Sequence, residues 1–228
     1  MFSRSTALLG ETCMARLQCK RVILFGIGGV GSWCAEALVR TGLTHLTIVD
    51  GDTVQASNLN RQLPATQATL GMPKVEALKA RLLEINPEAE IEAIFTMYNE
   101  QCTKEGPFDL SQYDYVIDAI DSVNDKVDLI LYASRVRGVK VFSSMGAALR
   151  MDPTQVRVAE LFDVKGDALA KAVRARMKKL DCRPNKKIRC VYSLEQAQRC
   201  ETRGSLMPVT ASFGLTLASL VIEDVRKG

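Results

Sequence analysis

Apolar positions along the chain change their period repeatedly, and each change marks an element. Residues 22–25 (VILF) form an unbroken apolar run, as expected of a parallel strand buried on both faces, and 46–50 (LTIVD) repeats it. Between them, 32–40 (SWCAEALVR) reads as a helix. Val75, Leu78, Leu82 and Ile85 share one helical face that Asn86-Pro87 stops, and 89–95 then reads as a strand. Residues 113–121 (YDYVIDAID) predict another strand, 122–137 a helix burying Val123, Val127, Ile130, Leu131 and Ser134, and 139–143 a further strand. Beyond residue 150 come a strand at 154–162, a helix at 167–180 with Leu169, Val173, Met177 and Leu180 on its apolar side, and a strand at 187–193. Leu8, Leu9, Met14 and Leu17, interrupted by Gly10, predict short helices at the front. The segment 205–222 is apolar enough to raise the question of a membrane span, but Pro208, Thr210, Ser212, Gly214, Thr216 and Ser219 point to a core helix instead.

Alternating strands and helices predict an α/β, Rossmann-like, doubly wound and mainly parallel sheet with helices on both faces. The 228 residues suit a single domain, with 1–150 as a nucleotide-binding core and 151–228 as a basic substrate-binding segment closed by a C-terminal core helix. In such a sheet ligands bind beyond the carboxyl ends of the strands. There the first strand runs into Gly26, Gly28, Gly29 and Gly31, and Ser32 opens the helix whose N-terminus favours an anion. Gly26, Gly28 and Gly31 also satisfy a dinucleotide spacing with Asp50 at the end of the next strand, so the glycines leave NAD and ATP both open. The long polar connection DGDTVQASNLNRQLPATQATLGMPK (50–74) has the composition of a functional loop. Asp118 and Asp121 fall on the same sheet edge; Asp118 reads equally as a capping residue, whereas Asp121 beside phosphates is an obvious place for Mg2+.

A net charge of +4 is only mildly basic, so any nucleic-acid argument rests on clustering. Arg174, Lys178, Lys179, Lys186 and Lys187 belong to a stretch from 171 to 189 relieved only by Asp181, and this stretch could follow a phosphate backbone. Seven scattered cysteines suit reduced thiols and a cytoplasmic protein, and the absence of any C-x-x-C pair argues against a four-cysteine zinc site. The first twenty residues, broken by Arg4, Glu11 and Arg16, lack the apolar core of a signal peptide. His45, the only histidine, reads as a bystander.

Taken together, GIGGVGS, VDGD, SNLNRQ, GMPK and DAID resemble the nucleotide site of the ubiquitin-activating-like adenylating enzymes over residues 1 to about 150. That resemblance implies that Asp50 holds the ribose hydroxyls, that Asn58, Arg61 and Lys74 contact the triphosphate with Gln62 beside them, and that Asp121 coordinates Mg2+. It also implies a homodimer in which Arg4 reaches into the partner's ATP site. AIDSV, DPTQVRVAEL and KKIRCVYSLE are similar to the bacterial tRNA threonylcarbamoyladenosine dehydratases over nearly the whole chain. The activity so implied is ATP-dependent activation of the threonyl carboxylate of the modified adenosine in tRNA, followed by ring closure with loss of water. The alternative is an activator of a ubiquitin-like or sulfur-carrier protein C-terminus, working with a sulfur-transfer or redox protein partner. An exposed, reactive Cys190 would favour that alternative; a Cys190 buried in its strand would not.

Overall fold

In the computed structural model, residues 1–99, 101–102, 108–202 and 204–228 are described. Two short helices, α1 (Ser3–Leu9) and α2 (Glu11–Gln18), lead in, joined at Gly10 with φ of +79°. Then follow β1 (Arg21–Phe25), α3 (Gly31–Thr41), β2 (His45–Val49), α4 (Lys74–Ile85), β3 (Glu90–Ile94), β4 (Tyr115–Asp118), α5 (Val123–Arg135) and β5 (Lys140–Ser144). The chain ends with β6 (Val156–Glu160), α6 (Ala168–Lys179), β7 (Arg189–Ser193) and α7 (Met207–Lys227).

The seven strands form one sheet in the order β3-β2-β1-β4-β5-β7-β6. All neighbours are parallel except β6, which runs antiparallel beside β7 at the edge. The order reverses between β1 and β4, the switch point beyond which such sheets bind their ligands. β1 alternates across the sheet: Val22 and Leu24 enter the core under α3, α4 and α7, while Ile23 and Phe25 enter the core under α5 and α6. Its last four residues are therefore fully buried, which explains the apolar run.

The segment 205–222 is a core helix. α7 buries Val209, Phe213, Leu217, Val221 and Val225 along one face, and Gly214 brings it against α3, where an added Cβ would stand 2.3 Å from the Val30 carbonyl oxygen. β6 and β7 extend the same sheet as the glycine turn, so residues after 150 share its core.

Candidate nucleotide-binding cleft

A cleft of about 390 Å³ opens beyond the carboxyl ends of β1, β2, β4 and β5. Its wall contains Gly26, Gly28, Gly29, Asp50, Asn58, Arg61, Gln62, Lys74 and Asp121, gathered from three separate stretches of the chain. The 50–74 connection accomplishes the gathering by folding back on itself. Lys74 N–H donates to the Asp52 carbonyl (3.0 Å), Val54 N–H to Met72 (2.8 Å) and Gly71 N–H to Val54 (2.9 Å), which places both ends of the loop beside β2. Val54, Ala65 and Ala77 form a small apolar cluster beneath it.

The glycine turn is shaped by close contact. A Cβ at Gly26, where φ is +89°, would lie 2.7 Å from the Ala119 carbonyl oxygen, and one at Gly31 would lie 1.9 Å from the Gly26 carbonyl oxygen. Gly31 and Ser32 consequently build the turn from behind. Both are buried, and the Ser32 hydroxyl donates to the Gly28 carbonyl (2.7 Å) while accepting from Leu63 N–H (3.2 Å). Arg61 lays its stem over Gly29, and its Nη1 donates to the Ser57 carbonyl (2.9 Å) and the Asn60 side chain (2.8 Å). Asn58 caps the turn before it by accepting from Gln55 N–H (3.0 Å).

Asp50 and Lys74 carry the electrostatics. Asp50 accepts from the N–H groups of Ile27 (2.6 Å) and Asp52 (2.8 Å), and burial pushes its carboxyl above the usual carboxylate range against the opposing pull of Lys74. Lys74, almost fully buried, places Nζ 2.6 Å from Asp52 and 3.9 Å from Asp50. Asp52 went unread in the sequence as Lys74's partner, although it stands in the same acidic strand end.

Asp121 is exposed in the cleft, and Asp125, one helical turn on, lines it too. Among the described residues no group of three or more metal-ligating side chains is assembled. One or two carboxylates open to a phosphate-binding cleft fit Mg2+, which keeps waters and shares phosphate oxygens instead of occupying a protein cage. Asp118 plays a different part: it is completely buried and paired with Lys126 (2.6 Å), a lysine beside the apolar stripe of α5 that the sequence reading did not single out.

Two placements in the basic stretch revise the sequence picture. Lys186 is not a free cation for RNA, because Nζ donates to the carbonyls of Val136 (2.7 Å) and Val139 (2.8 Å) just beyond the end of α5. Arg174 is half-buried and donates to the Leu161 carbonyl (2.9 Å). Lys178, Lys179 and Lys187 are exposed, as are Lys171 and Arg183. Arg4 does not line its own cleft: α1 packs Phe2 toward Gly42, the C-cap of α3, about 16 Å of helix away from Gly31. Cys190 is buried in β7, and burial pushes its thiol up, so it offers no thiolate to a partner. His45 pairs with Glu90 (2.9 Å) at the opposite end of the sheet. The remaining wall, including Thr96, Met97, Tyr98 and the turn 144–148, was not singled out in the sequence; Met97 covers Gly51, where a Cβ would lie 2.5 Å from its Cγ.

The sequence profile of the ThiF family matches residues 2–226. The chain belongs to the ThiF family. Within that family it is 42% identical over 178 residues to the tRNA threonylcarbamoyladenosine dehydratase of Bacillus subtilis, covering 78% of this chain and 69% of that protein. It is 35% identical to the Haemophilus influenzae enzyme of the same name, over 94% of this chain and 88% of that one. Crystal structures of Escherichia coli tRNA N6-threonylcarbamoyladenosine dehydratase, TcdA, in complex with AMP and with ATP superpose with TM-scores of 0.91 and 0.90 at 33% identity, covering 98% of this chain and 93% of TcdA. This ThiF-family chain also matches molybdopterin-synthase adenylyltransferases, over 60% of its length.

Proposed function

We infer that the chain is an ATP-dependent tRNA threonylcarbamoyladenosine dehydratase. The observation that carries the reading is the cleft itself, in which Asp50, Asn58, Arg61, Gln62 and Lys74 surround the glycine turn in a chain that aligns along nearly its whole length with enzymes of that name. The threonyl carboxylate is already a nucleophile at neutral pH, so the first step asks for charge stabilisation rather than a general base. As it attacks the α-phosphate and pyrophosphate leaves, negative charge grows in the cleft whose wall Arg61 and Lys74 both share. The activated carbonyl is then attacked from within the same side chain, AMP departs, and the net change is loss of one water. Asp121 would hold Mg2+, which would supply further neutralisation of the phosphates.

The substrate side is assigned to residues 151–228. Leu169, at the start of α6, lines the cleft, and Lys178 and Lys179 lie about 15 Å further along that helix, a reach suited to phosphates flanking a base bound in the cleft. A homodimer would give α1 a covering surface: this seven-residue helix packs Leu9 against the core but leaves Leu8 85% exposed. Seven free thiols accord with a cytoplasmic setting.

The test is to incubate the protein with ATP, Mg2+ and threonylcarbamoylated tRNA and weigh the modified nucleoside. Loss of one water with matching AMP release is expected; unchanged nucleoside mass, with ATP consumed only when a ubiquitin-like protein is supplied, would overturn it.

A further inference from the structure

Beneath the cleft lies a network that the proposed chemistry does not use. Lys126, on the first turn of α5, has no solvent exposure, yet its ammonium donates to Asp118 (2.6 Å), to the Ser143 hydroxyl (3.3 Å) and to the Ser144 carbonyl (2.9 Å). Asp118 and Ser143 are paired neighbours at the ends of β4 and β5, and the Ser143 hydroxyl donates to Asp118 as well (2.6 Å). One ammonium therefore ties a helix to the ends of two central strands.

Stability alone is a poor reason for such a pair. Two buried charges lose their hydration, and an apolar pair of similar volume commonly holds a fold as well or better. What apolar side chains lack is direction, and the directions here point at the cleft. The other oxygen of Asp118 accepts from Ile120 N–H (3.1 Å), and Ala119 N–H donates to the Phe25 carbonyl (2.8 Å). The turn 119–121 is thereby pinned in contact with Gly26, with Asp121 as its last residue. On the other side, Ser144 leads directly into Met145 and Gly146, which also line the cleft.

We propose that Lys126 is a positioning residue, which through Asp118 and Ser144 fixes the Asp121 turn against the glycine loop so that the metal carboxylate and the nucleotide phosphates meet in register. This rests on the reading of Asp121 as the magnesium residue. Lys126→Met alone strands a buried carboxylate and can fail to fold, so the decisive variant is Lys126→Met with Asp118→Asn, which buries no charge. Mn2+ binding in the presence of a non-hydrolysable ATP analogue, followed by electron paramagnetic resonance, gives a readout separate from turnover. The double variant is expected to keep its thermal midpoint, to bind Mn2+ about 10–100-fold more weakly, and to lose kcat by a similar factor with little change in the KM for ATP. If it does not fold, Ser143→Ala removes one bond from Asp118, keeps both charges, and should weaken Mn2+ by roughly 2–10-fold. Wild-type Mn2+ affinity and kcat in a folded double variant, while Asp121→Ala loses the metal, would overturn the positioning role alone. Wild-type Mn2+ affinity in both would overturn the Asp121 reading and the proposal with it.

Discussion

Replacing Lys74 with methionine keeps an unbranched side chain one atom shorter in a buried position and removes the ammonium with its charge and its bond to Asp52. The ammonium stands 2.6 Å from Asp52 and 3.9 Å from Asp50, inside the cleft where the phosphates are read. Two unit charges about 4 Å apart interact by about 4 kcal/mol at an effective dielectric near 20. Asp52 already draws on that field, so a phosphate gains the remainder. Removing one charge-stabilising group from an active site costs about 3–4 kcal/mol, which is a fall of about 100–1000-fold in kcat/KM. A second effect follows from Asp50, whose carboxyl burial already raises and which Lys74 holds down. In the proposed role of holding the ribose hydroxyls Asp50 would act ionised, so nucleotide affinity should be present above its pKa and lost as pH falls through it. Removing Lys74 raises that pKa further, and the loss should begin at a higher pH than in the wild type. Fluorescence titration with an ATP analogue from acid to neutral pH measures the shift. Asp52 is exposed enough to be solvated alone, so the fold should survive. A folded variant with wild-type kcat/KM, or with an acid limb at the wild-type position, would refute the electrostatic reading of the cleft.

Much of the fold was legible because periodicity reports burial directly. The apolar runs of β1 and β2 follow from packing on both faces, and the stripe on α4 from packing on one. The cleft was legible through the resemblance carried by the glycine turn, SNLNRQ and GMPK: Asp50, Asn58, Arg61, Gln62, Lys74 and Asp121 all line it. What periodicity leaves out is pairing across distance. Lys126 was passed over beside the apolar stripe of its helix, and only contact with Asp118 and the end of β5 shows why a buried charge is there. Lys186 looked like its neighbours in a basic run, but the carbonyls it satisfies belong to residues some fifty positions earlier. A charge run states how many cations there are; it does not state which of them the fold has already taken. The same holds for Gly31 and Ser32, where the spacing matched a ligand motif and the contacts show the motif's supporting side.

Two further predictions concern the partners. Charge reversal at Lys178, Lys179 and Lys187, which are exposed and leave the Arg174 and Lys186 carbonyl contacts intact, should weaken tRNA binding and flatten its salt dependence while ATP binding stays unchanged; equal tRNA affinity and salt slope in filter-binding assays would return these side chains to an ordinary solvated face. The other concerns Arg4, which does not line its own cleft and which, in the proposed homodimer, would add charge to the partner's phosphates as an arginine finger does. Arg4→Ala and Lys74→Met chains, each nearly inactive alone, should recover activity when their subunits are exchanged, because one site of the mixed dimer then has an intact Lys74 and receives an intact Arg4. Random exchange makes half the dimers mixed with one working site of two, so recovery should approach about a quarter of wild type. Exchange demonstrated by mass spectrometry without any recovery would remove Arg4 from the partner's site, and with it the reason for two shared sites.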